Sequence, residues 1–159
     1  MIKVDLKGSE KEFESGVSVA EVAKSIGMGL YKSACAAKVN GEVCDLRTVL
    51  NEDCKVEILT FDDKEGKKAY WHTASHIMAQ AVNRLYPGTK FAIGPAVDNG
   101  FYYDMDSPFP FTPEIMEKIE AEMRKICKEK LKLERFELPR EEAIKFMEER
   151  EEPYKVELI

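Results

Sequence analysis

The chain has 159 residues, 44% hydrophobic and 34% charged, with a formal net charge of -6 at pH 7, which is the composition of a globular protein of one domain or two small ones. No stretch reads as a membrane span, and the opening Met1-Ile2-Lys3-Val4-Asp5 alternates instead of forming the apolar block of a signal peptide. The acidic balance excludes a broadly basic nucleic-acid surface, so any RNA contact has to use a local patch.

Ile2, Val4 and Leu6 alternate with polar neighbours as a half-buried strand, Gly8 and Ser9 turn the chain, and residues 11–14 return as a second strand. Ser18 caps a short helix, with Glu21 at the capping-box position and Val19, Val22, Ala23 and Ile26 on its inner face; Gly27 and Gly29 are expected to stop it. Residues 35–39 and 42–44 form a hairpin around Asn40-Gly41, and residues 55–59 a final alternating strand. A hairpin, a helix across it and further strands is the element order of a β-grasp fold, and residues 1–61 resemble the TGS domain, a ubiquitin-like module. Nothing in this segment supplies a nucleophile, a phosphate-cradling glycine loop or a metal cluster, so it reads as a binding or positioning module. Cys35, Cys44, Cys54 and Cys127 lack Cys-x-x-Cys spacing and read as reduced thiols.

Residues 62–68, rich in charge and containing Gly66, read as a linker. From Ala69 to Tyr86 nothing breaks a helix, and Ala74, Ile77, Met78, Ala81, Val82 and Leu85 fall on one apolar stripe. His72 and His76 lie on the opposite side, near Gln80 and Asn83. At this spacing the two imidazoles share a face and can address one ligand, one water or one metal ion. Thr73 stands where a zinc protease needs glutamate, so that class is disfavoured.

Pro87-Gly88 ends the helix. Asp98-Asn99-Gly100 reads as a tight turn between two short strands, Gly94-Pro95 as a bulge or close backbone approach, and Tyr102 and Tyr103 put phenols on opposite faces of the second strand. Helix, turn and hairpin are expected to form a cleft walled by the tyrosine-bearing ribbon. Further on, Thr112-Pro113-Glu114 starts a helix whose apolar side is Ile115, Ile119, Met123, Ile126 and Cys127. Residues 133–138 read as a strand, residues 140–149 as a helix and residues 154–158 as another strand. Two basic runs, Lys64, Lys67 and Lys68, and Arg124, Lys125, Lys128, Lys130 and Lys132, are candidate RNA contacts, with solvated surface the favoured reading.

The ordered run His72-Thr-Ala-Ser-His76, then Lys90-Phe-Ala-Ile-Gly-Pro-Ala-Val-Asp-Asn-Gly-Phe-Tyr-Tyr-Asp104, resembles the start of the editing domain of bacterial-type threonyl-tRNA synthetases, and the resemblance covers essentially the whole chain. It implies an α+β architecture: a β-grasp domain at 1–61, then, over 69–159, the first part of an editing domain with its histidine-bearing helix packed on an antiparallel sheet. It implies an N-terminal fragment, since such proteins are several times longer. It further implies a catalytic pair, His72 and His76, half of a site completed by a later cysteine and histidine. Tyr103 and Asp104 enter as substrate-binding residues, and the reaction is hydrolysis of tRNA wrongly charged with serine. The resemblance gives no metal or cofactor to this fragment: ATP, magnesium and zinc belong to an aminoacylation core absent from the chain. The implied partner is the tRNA acceptor end, in the cytoplasm and away from membranes, with the fragment a monomer and the full enzyme a homodimer. Two alternatives remain: a free-standing β-grasp module binding a nucleotide or protein, and a small metallohydrolase with His72 and His76 as ligands, for which Cys127 is the nearest candidate third ligand.

Overall fold

The computed structural model describes all 159 residues. They form two compact units, Met1–Trp71 and His72–Ile159. No helix is long and apolar enough to cross a membrane.

The first unit is built on a five-stranded sheet ordered β2-β1-β7-β4-β5, comprising β1 (Ile2–Asp5), β2 (Glu10–Phe13), β4 (Ala34–Val39), β5 (Glu42–Cys44) and β7 (Cys54–Thr60). β1 and β7 are parallel and every other neighbouring pair is antiparallel. A small ladder joins β3 (Val17–Ser18) to β6 (Val49–Leu50). Alternation along β1 sends Ile2 and Val4 into a core shared with Val19 and Val22 of α1 (Val19–Ile26) and with Ala37, Leu50 and Val56. The capping box forms as expected: the Glu21 amide donates to Ser18 Oγ at 3.3 Å and the Ser18 amide to the Glu21 carboxylate at 2.9 Å. Asn40 (φ 50°) and Gly41 (φ 90°) both occupy the left-handed region that the tight β4–β5 turn demands. This is the β-grasp arrangement.

Gly29 does not stop the helix. A single extended residue, Gly27 (φ 170°), breaks the chain, and Met28–Ser33 form a second short helix, α2. The long helix α3 (Lys64–Leu85) also begins earlier than its apolar stripe, so the charged stretch from Lys64 to Lys68 is helical. Its start is fixed by Asp63, whose carboxylate accepts from the Thr60 amide at 2.8 Å while its carbonyl accepts from the Lys67 amide at 2.8 Å. Gly66 belongs to close packing: a Cβ there would fall 2.0 Å from the Thr60 carbonyl oxygen.

In the second unit α3 lies against α4 (Pro113–Glu129), capped by Thr112 with Pro113 in its first turn. Ala81 and Val82 of α3 are buried with Phe91, Ile119 and Ile126, and Ile77, Met78 and Leu85 pack around them, which follows the predicted stripe. Arg84 clamps the two helices by a forked pair of hydrogen bonds to Glu129 (2.7 and 2.8 Å) and a longer one to Glu122 (3.3 Å). Between the helices runs a long hairpin. Its base is β8 (Lys90–Phe91) paired with β11 (Met105–Asp106), and its tip is β9 (Ala96–Val97) paired with β10 (Gly100–Phe101). The antiparallel sheet expected with the histidine helix takes the form of these two small two-stranded ladders.

Two strands expected from alternation do not form. Residues 133–138 carry no ladder and are exposed throughout, with Leu133 and Phe136 open to solvent; alternation makes a strand only where a neighbouring edge takes up the backbone hydrogen bonds. After α5 (Arg140–Glu149), residues 154–158 lie within a helix, α6 (Pro153–Leu158). Pro153 at its first position suits a helix start, and five residues are too few to separate a period of 2 from one of 3.6. Arg124 and Lys125 pair with Glu120 and Glu122, so this part of the second basic run is solvated helix surface.

Candidate functional site

One turn of α3 carries both histidines on its exposed side. Their rings meet at right angles, 4.6 Å between centroids, with Nε2 of His76 3.1 Å from Nε2 of His72. A contact between two such nitrogens holds one proton, so in the neutral pair one ring donates and the other accepts. The donor ring then keeps a bare Nδ1 and the acceptor ring a protonated one, giving the pair one free acceptor and one free donor.

The His76 pKa is lowered, first by partial loss of water around the ring, then by the charges of His72 and of Lys155 on α6. Folding therefore favours neutral His76. Its contribution to stability is intact above the ordinary value of 6.5 and is lost as pH falls through the lowered one. His72→Ala is expected to raise the His76 midpoint, measured by NMR titration of its ring protons, while leaving it under 6.5, because the larger cause remains. A midpoint that does not move would show that the rings do not interact.

Ser75, between the histidines, is fully buried. Its Oγ lies 2.7 Å from the His72 carbonyl oxygen and 3.1 Å from that of Gly94, tying the histidine turn to the hairpin. Gly94 is in turn covered by the Tyr103 ring, which would lie 2.3 Å from a Cβ at that position. This is the close approach that Gly94-Pro95 signalled. Tyr103 packs edge to face on Phe91 at 5.7 Å, and burial, then the charge of Glu152, pushes its phenol pKa up, keeping it a donor. Asp104 enters through its backbone: its amide donates to the Ile93 carbonyl and its carbonyl accepts from the Ala92 amide, both at 2.9 Å, and its side chain is exposed.

The hollow at His76 differs from the expected cleft. Thr73, Ile77 and Gln80 of α3 line it with Ile126 and Cys127 of α4 and Leu133 beyond, enclosing about 310 Å³. Its second wall is thus α4 and the segment after it, while the tyrosine ribbon reaches the histidine turn through Ser75 and Gly94. Cys127 shares the hollow with His76, but no three His, Cys, Asp or Glu side chains converge to hold a metal ion. Sequence reasoning did not single out Ser75, Glu152 or Lys155. Ser75 had a weak signal, a small polar residue opposite a predicted close approach; Lys155 lies in residues 154–158, expected as a strand and found helical, and Glu152 just ahead of that helix.

Residues 4–60 match the TGS domain family. The whole chain also aligns with the threonine–tRNA ligases of Clostridium kluyveri and Clostridium acetobutylicum, each at 62% identity, and of Acetivibrio thermocellus at 63%. The chain matches the N-terminal quarter of bacterial threonine–tRNA ligase. It spans about a quarter of the length of the curated relatives it matches. The β-grasp sheet is accordingly a TGS domain, and the histidine pair lies within the same ligase-like stretch, downstream of the TGS match.

Proposed function

We propose that the chain serves as the N-terminal region of a threonine–tRNA ligase, with residues 1–61 a TGS module and residues 69–159 the first part of an editing domain. In this reading His72 and His76 form half of a site that hydrolyses tRNA mischarged with serine. The observation that carries it is the 3.1 Å contact between the two Nε2 atoms on an exposed helix face. Ester hydrolysis needs a water held at the carbonyl carbon and a base to take its proton. The bare nitrogen of the pair suits that base, and the protonated nitrogen of its partner suits a ribose oxygen or the departing hydroxyl. Depression of the His76 pKa keeps that ring neutral and able to accept a proton near pH 7. Tyr103, protonated and fixed over Gly94, lines the substrate side, with Asp104 next to it in the stretch between β10 and β11.

Editing of this kind answers a limit of selection by binding, since a pocket shaped for one side chain rejects a smaller analogue only weakly. The half-site supplies no donors for the negative charge that develops on the carbonyl oxygen, and the later cysteine and histidine of the family complete it. The tRNA acceptor end is the partner, and ATP, magnesium and zinc act in the charging core. The isolated 159-residue chain is therefore expected to deacylate seryl-tRNA at the rate of buffer alone. Turnover near that of a full-length relative would refute the half-site.

A further inference from the structure

Glu152, the residue before α6, carries a carboxylate oxygen, Oε2, that is buried and has no hydrogen-bond partner. A buried acceptor in that state has lost its water and gained nothing in return, and an ionised one loses most. Slack backbone does not explain it. The Glu152 amide donates to the Met147 carbonyl at 3.0 Å, and the Glu152 carbonyl accepts from the amides of Lys155 (3.1 Å) and Val156 (3.2 Å). To either side, Lys90 of β8 donates to the Glu151 carbonyl at 2.7 Å, and the Tyr154 hydroxyl donates to the Asp106 carboxylate of β11 at 3.4 Å. Glu152 is thus pinned at the base of the hairpin, where the Tyr103 ring packs on Phe91, and its charge reaches the Tyr103 phenol.

No side chain of the protein bonds to this oxygen. Lys90 is turned to the Glu151 carbonyl and, at 3.7 Å, to the Glu151 carboxylate. Lys155, one turn further on, is close enough to His76 for its charge to act on that ring. The Tyr103 ring covers Gly94, whose carbonyl accepts from Ser75 in the histidine turn, so carboxylate, phenol and imidazoles belong to one connected set of contacts. A primary ammonium suits the open acceptor: it donates in three directions, and a charge-assisted hydrogen bond compensates for the lost water. An aminoacyl ester carries such a group on the carbon next to its ester carbonyl. Whatever holds the ammonium therefore fixes where that carbonyl stands relative to the histidines.

We propose that Glu152 is a substrate-binding residue of the editing site, receiving the α-ammonium group of the misattached amino acid and so restricting hydrolysis to esters with a free amino group. This role rests on the editing reading of the histidine pair and adds a substrate class to it: aminoacyl-tRNA is accepted, and tRNA carrying an N-blocked residue, such as a peptide, is refused. Serine and threonine share the ammonium, so Glu152 does not choose between them.

The test grafts the chain in place of the N-terminal quarter of the Clostridium kluyveri ligase, with threonine charging as the measure of folding, and compares hydrolysis of seryl-tRNA and N-acetylseryl-tRNA. The parent is expected to favour the free amine about tenfold in kcat/KM. Glu152→Gln keeps the shape of the side chain and removes its charge. It should lower kcat/KM for seryl-tRNA about tenfold, leave N-acetylseryl-tRNA no worse and so abolish the preference. In the isolated chain the same substitution should bring the Tyr103 phenol midpoint down toward, but not to, its ordinary value, because burial remains the larger cause. Equal losses on both substrates would reduce Glu152 to a structural support; an unaltered preference or an unmoved Tyr103 midpoint would also overturn the proposal. Hydrolysis that needs His76 but ignores Glu152 removes this role and leaves the editing reading standing, whereas no hydrolysis by a chimera that charges threonine removes both.

Discussion

Gly66→Ala is expected to destabilise the first unit by about 3 kcal/mol, the upper end for overpacking. In an open helix the change would stabilise, because alanine is favoured over glycine by about 1 kcal/mol. The sign reverses here because the new Cβ would stand 2.0 Å from the oxygen and 2.8 Å from the carbon of the Thr60 carbonyl. Those are backbone atoms at the end of β7, where Thr60 pairs with Ala34 and its amide is bound by Asp63. Neither side can yield without pulling α3 off the strand. Urea unfolding followed by amide signals of β4 and β7 gives the measurement; an unchanged or raised midpoint would mean that the helix start is not packed this tightly.

Gly94→Ala is expected to act on the site itself. Its Cβ would come within 2.3 to 2.9 Å of three Tyr103 ring atoms, and that ring is backed by Phe91. The ring has to swing outward, at a cost of about 2 kcal/mol. Because burial is the main cause of the raised Tyr103 pKa, the phenol should then titrate closer to its ordinary value. Displacement of the Gly94 carbonyl from Ser75 Oγ should also loosen the histidine turn, seen as a change in the His72 and His76 ring shifts. A Tyr103 titration identical to that of the parent would contradict the packing described.

The first unit was largely legible because its signals are local and agree with one another: alternation at Ile2 and Val4, the Ser18–Glu21 box, and Asn40-Gly41 between two strands. The apolar stripe of α3 was equally clear, since Ala74, Ile77, Met78, Ala81, Val82 and Leu85 recur at helical spacing over several turns. Where reading failed, the deciding partner lay elsewhere in the chain. Gly66 looked like a joint until Thr60 was beside it, and residues 133–138 alternate as a strand would but meet no edge to pair with. Ser75 illustrates the same limit inside the site. On a helical wheel it sits at the margin of the apolar stripe, beside Val82, and its contact with the Gly94 carbonyl of the hairpin is what the wheel does not show. The histidine contact was foreseeable from spacing, but the direction of the hollow was not, because it depends on where α4 ends.

The most direct trial of the account is a chimera in which this chain replaces the N-terminal quarter of the Clostridium kluyveri ligase, to which it is 62% identical. Hydrolysis of seryl-tRNA is measured beside threonine charging, which reports that the chimera is folded. The account predicts that the chimera hydrolyses seryl-tRNA and that His76→Ala lowers this rate by about a hundredfold, as for the loss of a general base, with charging retained. Hydrolysis unaffected by both His72→Ala and His76→Ala, with charging intact, would contradict it.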